Sequence, residues 1–220
     1  MQKLKDLLPK HSNFTIMLDM DGVLCDFDTQ FRKLLSDDVV FGAAVSRPKL
    51  VSAKKLSDLN LTLPQFIDKC DEIRTKVLRS NHSDIYGLFK SETKSQLKVP
   101  LSWSFVAAGK TTFWSTMKWM PDGPQLIDQL RAFNVPIQIL TAGSRSNTDF
   151  CSVGKRQWLS NNGLGDLPFN IVSMGTEKYK YATPTRLLID DTAKNVELFI
   201  GSGGQGIVHT STKSTINQLR

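Results

Sequence analysis

The sequence predicts an α/β fold: a doubly wound parallel sheet with a small helical cap inserted after the first strand. Three observations carry this. Short apolar runs recur at Phe14–Leu18, Ile137–Thr141, Ile171–Met174, Leu187–Ile189 and Gly206–His209. Helix-period segments separate them, which is the alternation of a parallel sheet. Two of the runs end in carboxylate pairs, and parallel sheets gather ligands at the carboxyl ends of their strands.

The elements follow in order. Phe14–Leu18 is the first core strand, and Phe27–Leu35 is helical, with Phe27, Phe31, Leu34 and Leu35 on one face. Thr62–Arg79 places Phe66, Ile67, Cys70, Ile73, Val77 and Leu78 at helical spacing, with Pro64 suited to the first turn. That stripe reads as packing and not as a binding surface. The chain re-enters the core near Phe113–Pro121, followed by a helix over Gly123–Phe133. Helices over Val153–Asn161, Ala193–Ile200 and Ser211–Leu219 complete the alternation. The expected division is a catalytic core of residues 1–26 and 115–220, with a mainly helical cap over 27–114.

The run Ile16-Met17-Leu18-Asp19-Met20-Asp21-Gly22 is the most specific signal. Side chains alternate along an extended strand, so Asp19 and Asp21 leave on one side, with Cα atoms about 6.6 Å apart. One carboxylate can attack phosphorus while the other handles the leaving group's proton. Two carboxylates facing a phosphate dianion also require a hard divalent cation, for which Mg²⁺ is suited. Leu187-Leu188-Ile189-Asp190-Asp191 supplies the second acidic pair. A helix N-cap would explain Asp191 alone. Two acids after an apolar strand favour metal binding at Asp190. Between the pairs, Thr141-Ala142-Gly143-Ser144 can offer a hydroxyl and backbone N–H groups to phosphate. Lys155, Lys178 and Lys180 are the lysines placed to face it.

These segments resemble the haloacid dehalogenase (HAD) superfamily of phosphohydrolases. More closely they resemble its 5′(3′)-deoxyribonucleotidases, through Asp19-Met20-Asp21-Gly22-Val23-Leu24, Asp26-Phe27, Phe113-Trp114, Met120-Pro121-Asp122-Gly123, Lys155-Arg156-Gln157-Trp158 and Leu187-Leu188-Ile189-Asp190-Asp191. The resemblance implies that Asp19 is the nucleophile and Asp21 the general acid/base. It implies that Thr141, Ala142, Lys155 and Lys180 bind the phosphoryl group, with Lys178 a near rival of Lys180. Asp19, Asp21 (through its carbonyl), Asp190 and Asp191 would hold Mg²⁺, and Phe27, Phe113 and Trp114 would meet the nucleoside. Two departures stand out. Ala142 occupies the position of a serine in the nucleotidase pattern, and the stretch Arg47–Lys110 does not match.

Composition agrees with a globular enzyme: 220 residues, 40% hydrophobic and 22% charged. No run of about 18 apolar residues is present, so no membrane span is expected. Met1–Asp6 lacks an apolar leader core, and a cytoplasmic protein is expected. Cys25, Cys70 and Cys151 read as reduced thiols. With His11, His82 and His209 they form no zinc pattern. The formal charge is +7, from 28 basic and 21 acidic residues. The basic residues are scattered and read first as a solvated surface, with steering of anions or contact with nucleic acid as the other readings. A small phosphorylated substrate, above all a nucleoside monophosphate, is the expected partner, and nucleic acid is not favoured. A homodimer is left open. The alternatives are a phosphatase of polynucleotide ends, a sugar-phosphate phosphatase and a catalytically silent binding protein.

Overall fold

The computed structural model describes residues 14–47, 52–143 and 148–220. Met1–Asp6, His11 and Ser144, named above, lie outside the described residues. The chain divides into two compact units, Met1–Phe27 with Met117–Arg220, and Asp28–Thr116.

The first unit is built on a five-stranded parallel sheet. Its strands are β1 (Thr15–Leu18), β4 (Ile137–Ala142), β5 (Phe169–Val172), β6 (Arg186–Asp190) and β7 (Gln205–Val208), in the order β5-β4-β1-β6-β7. The predicted α/β class and parallel sheet are thus borne out. β1 sits at the centre, and Ile16, Met17 and Leu18 are fully buried. Strands covered on both faces need apolar side chains at every position, which is why these runs lack alternation. On one face Met17, Leu140 and Leu188 pack against Val196 and Phe199 of the helix Ala193–Gly201.

Register fixes where the functional side chains emerge. Leu18 lies opposite both Ile139 and Ile189. Asp19 therefore follows β1 at the level where Asp190 ends β6, and its N–H donates to Ile189 O at 3.0 Å. Thr141 lies two residues beyond Ile139 on the other flank.

The expected strand Ile171–Met174 lies two residues earlier, at Phe169–Val172. The Ser173 and Met174 N–H groups donate to Glu177 Oε2 at 3.1 and 3.2 Å, which turns the chain out of the sheet. A 3₁₀ helix, Gly175–Tyr181, follows. Where the chain leaves and re-enters this unit, β2 (Cys25–Asp26) pairs antiparallel with β3 (Lys118–Trp119). The Trp158 indole N–H donates to Met117 O at 2.8 Å, and Trp119 donates to Asn162 Oδ1 at 2.7 Å.

The second unit is helical among its described residues: α1 (Phe27–Leu35, which starts at the boundary), α2 (Asp38–Val45), α3 (Ala53–Asp58), α4 (Leu63–Arg79), α5 (Ile85–Leu97) and α6 (Ser102–Ser115). The expected stripe on α4 is core: Phe66, Cys70, Ile73 and Val77 are buried. Thr62 caps this helix in a reciprocal box with Gln65, and Pro64 stands in its first turn. Phe89 meets Phe31 at 6.0 Å and Phe105 edge-on at 5.1 Å. Helices α2 and α6 carry no clean amphipathic stripe, and α6 kinks at Lys110 (φ +50°), so periodicity does not reveal them. No helix among the described residues is long and apolar enough to cross a membrane.

Candidate active site

The extended strand stops at Leu18, short of the paired acids. Met20 O then accepts the N–H groups of Val23, Leu24 and Cys25 at 3.2, 2.7 and 2.8 Å. The segment after Asp19 thereby curls into a turn, and Asp21 bridges to Cys25. The turn needs Gly22 at φ +75°, and a Cβ there would collide with the Asp191 carboxylate. Gly22→Ala is expected to cost about 1–2 kcal/mol from backbone strain alone. Were a divalent cation held by Asp191, the substitution should also shrink the rise in melting temperature on adding Mg²⁺, because Asp191 must move. Thermal melts with and without the ion check both.

Asp19 is 6% exposed. Its Oδ1 accepts the Met20 N–H at 2.8 Å, and its Oδ2 pairs with Lys178 Nζ at 2.7 Å. The same ammonium meets Asp190 Oδ2 at 2.6 Å. Asp190 is fully buried, and its Oδ1 accepts the Thr192 N–H at 2.8 Å. Asn195 Nδ2 lies 3.1 Å from both Asp190 oxygens. Burial and the Asp19 charge push the Asp190 carboxyl up, despite Lys178. Burial lowers Lys178, but Asp19 and Asp190 more than reverse it, so the ammonium stays protonated.

On the other flank, Asp21 Oδ2 pairs with Lys155 Nζ at 2.7 Å. Lys155 comes from the helix Thr148–Asn161 and also donates to Thr141 Oγ1 at 2.6 Å and Ala142 O at 2.8 Å. Thr141 and Lys155 are fully buried. Desolvation raises the Asp21 carboxyl above the usual range, with the Asp19 charge adding to it and Lys155 opposing. A carboxyl held up in this way is suited to carrying a proton.

One lysine expectation changes. Lys178, not Lys180, reaches the carboxylates; Lys180 is exposed and pairs with Glu177 at 2.7 Å. In a 3₁₀ helix residues three apart share a face. Gly175, which abuts Asn195, and Lys178 take the inner face, and Glu177 and Lys180 the outer one. Lys155, expected to face phosphate, carries an ammonium with three N–H groups. All three are taken, by Asp21, Thr141 and Ala142. Asn195 was missed by the sequence reading. Its only signal is an amide in the first turn after an Asp-Asp strand end.

Asp19, Asp190 and Asp191 each offer a carboxylate oxygen, all within 4.8 Å of one another. Desolvation, then the charges of Asp19 and Asp190, push the Asp191 carboxyl up to about 7. Asp21 Oδ1 is buried without a hydrogen-bond partner among the described residues. An all-oxygen set of three carboxylates against one lysine fits a hard divalent cation. Of the expected aromatic contacts, Phe27 is partly buried at the edge of the first unit. Phe113 and Trp114, in the second unit, are buried, with their rings edge-on at 4.9 Å.

No protein-family model matches the sequence, and no curated protein does either. Solved structures do match. The HAD-hydrolase YfnB from Bacillus subtilis, bound to magnesium, superposes with a TM-score of 0.52 at 12% identity, covering 94% of this chain and 98% of that one. The fold is that of the HAD hydrolases. A hydrolase from Streptococcus pneumoniae TIGR4 gives a TM-score of 0.45 at 10% identity, over 93% of this chain and 97% of that one. A HAD family hydrolase from Deinococcus radiodurans R1, with bound phosphate and sodium, gives 0.42 at 15%, over 89% and 80%. In the HAD fold of this chain, the carboxyl ends of β1, β4 and β6 bring Asp19, Thr141 and Asp190 to one edge of the sheet.

Proposed function

We propose that this protein is a Mg²⁺-dependent phosphomonoesterase that works through an aspartyl-phosphate on Asp19, with nucleoside monophosphates as substrates. The observation that carries the reading is the pair of acids, each held by its own buried lysine. Asp19 pairs with Lys178 beside Asp190, while Asp21 pairs with Lys155 on the other flank and is held up by desolvation. A carboxyl raised by desolvation is suited to carry the proton, which gives Asp21 the acid/base role.

A carboxylate oxygen of Asp19 attacks phosphorus as the P–O ester bond breaks, and Asp21 gives its proton to the departing alkoxide. Asp21 then takes a proton from the water that attacks the aspartyl-phosphate, releasing orthophosphate and restoring Asp19. Thr141 donates to a phosphoryl oxygen, and Lys178 holds the orientation of Asp19 and Asp190. Asp19, Asp190, Asp191 and the Asp21 carbonyl would hold Mg²⁺, which supplies positive charge to the phosphoryl oxygens. The magnesium in the B. subtilis neighbour accords with that donor set.

Carbon–halogen hydrolysis on the same fold is disfavoured here. A halide leaves without a proton, so its departure needs no acid at Asp21 and no cation to offset a phosphate dianion. The nucleotide preference rests on the motif resemblance. The test is phosphate release from deoxy- and ribonucleoside monophosphates, a 5′-phosphorylated oligonucleotide and sugar phosphates, with Mg²⁺ or chelator. Mg²⁺-dependent release from the deoxynucleotides is expected. Release from the oligonucleotide alone would make the protein an end-repair phosphatase. No release from any of them by folded protein would overturn the enzymatic reading in favour of a silent binding protein.

A further inference from the structure

We propose that Lys155 is a positioning residue, which fixes the acid/base Asp21 and the phosphate donor Thr141, and is not itself a ligand of the phosphoryl group. The inference rests on the phosphomonoesterase reading above. It begins with the count of protons on the ammonium. Each of the three N–H groups has a protein acceptor: Asp21 Oδ2 at 2.7 Å, Thr141 Oγ1 at 2.6 Å and Ala142 O at 2.8 Å. The side chain is fully buried. A phosphate oxygen could reach it only by displacing one of these bonds.

The three acceptors lie on two different elements. Asp21 belongs to the turn after β1, and Thr141 and Ala142 end β4. Lys155 reaches both from a third element, the helix Thr148–Asn161. That helix is itself pinned one turn further on, where the Trp158 indole N–H donates to Met117 O at 2.8 Å. The ammonium is therefore delivered from a fixed support and ties two loops together.

The bonds also have direction. A threonine hydroxyl has one proton and two lone pairs. Since Thr141 Oγ1 accepts from Lys155, its own proton is left to donate, which is what an anionic oxygen requires. Since Asp21 Oδ2 accepts from Lys155, the carboxyl plane cannot rotate freely. Lys155 thus aligns the group that protonates the leaving alkoxide, while contributing no direct contact to the phosphate.

A phosphate ligand and a positioning residue for the acid differ in how a mutant responds to the leaving group. General acid catalysis matters when the leaving group is a basic alkoxide. It matters little when p-nitrophenolate departs unprotonated. Lys155→Met is expected to lower kcat on a nucleoside monophosphate by roughly 100-fold and on p-nitrophenyl phosphate by less than about tenfold, with KM little changed. On an Asp21→Asn background, adding Lys155→Met should lower nucleotide turnover by no more than about threefold, because the group it serves is already absent. That pair of variants, both lacking the ion pair, decides the matter if the single Lys155→Met protein does not fold. Equal losses on both substrates with a raised KM, or full additivity with Asp21→Asn, would overturn the proposal and make Lys155 a phosphate ligand. A wild-type protein that turns over neither substrate would instead overturn the phosphomonoesterase reading, and the positioning role with it.

Discussion

On the proposed reading, Asp19→Asn is expected to abolish phosphate release, by roughly 10⁴-fold or more, while the protein keeps its fold. The amide is nearly the same shape but is not a nucleophile, and no other carboxylate takes its place. Asp190 is held on both oxygens by Asn195 and on one by Lys178. Asp21 is tied back by Lys155. Stability should move the other way. The Asp19 charge helps to push up the carboxyls of Asp21, Asp190 and Asp191, so it opposes three neighbours at once. Removing it relieves like-charge repulsion at the cost of one lysine contact. The variant is expected to melt no lower than the wild type in chelator. Rates and melts on the same preparation check the pair of outcomes. Loss of activity together with a large loss of stability would mean that Asp19 is structural. An active variant would rule it out as the nucleophile.

Lys178→Met has the largest expected effect on stability. The ammonium is 1% exposed and is shared by two carboxylates that are themselves almost wholly out of water. Methionine matches the length of the lysine stem but leaves Asp19 and Asp190 facing each other with no cation between them. Breaking a buried ion pair on one side costs about 3–5 kcal/mol, because the orphaned charge stays buried. Chemical denaturation in chelator should show a loss of that size. Mg²⁺ should recover more stability in the variant than in the wild type, since a cation bound near Asp19 and Asp190 replaces part of the missing charge. A variant as stable as the wild type without metal would show that the two carboxylates share a proton in place of the lysine. Lys180→Met, by contrast, removes an exposed pair with Glu177 and should be close to neutral.

The contrast between these two lysines shows what a sequence can and cannot hold. The strands were legible because burial on both faces demands unbroken apolar runs, such as Ile16-Met17-Leu18 and Leu187-Leu188-Ile189. The acids at their ends were legible because nothing in strand packing calls for a carboxylate pair there. The stripe on α4 was legible from its period, and its cap from Thr62 and Gln65. The helices α2 and α6 were not, since helices apolar on most sides carry no phase to read.

By itself, then, the sequence determined the α/β class and the strand ends that carry Asp19, Thr141 and Asp190. Those properties follow from local composition and from the period of the backbone. The tertiary structure alone decided which lysine serves which carboxylate. Lys178 and Lys180 differ by two positions, and only the 3₁₀ geometry of Gly175–Tyr181, packed by Gly175 against Asn195, turns the first inward and the second to water. Lys155 lies 134 residues from Asp21 along the chain, and parallel strands closing side by side bring the two to 2.7 Å. Contacts of that kind depend on register and on which face of an element is covered, and both are settled when the sheet assembles.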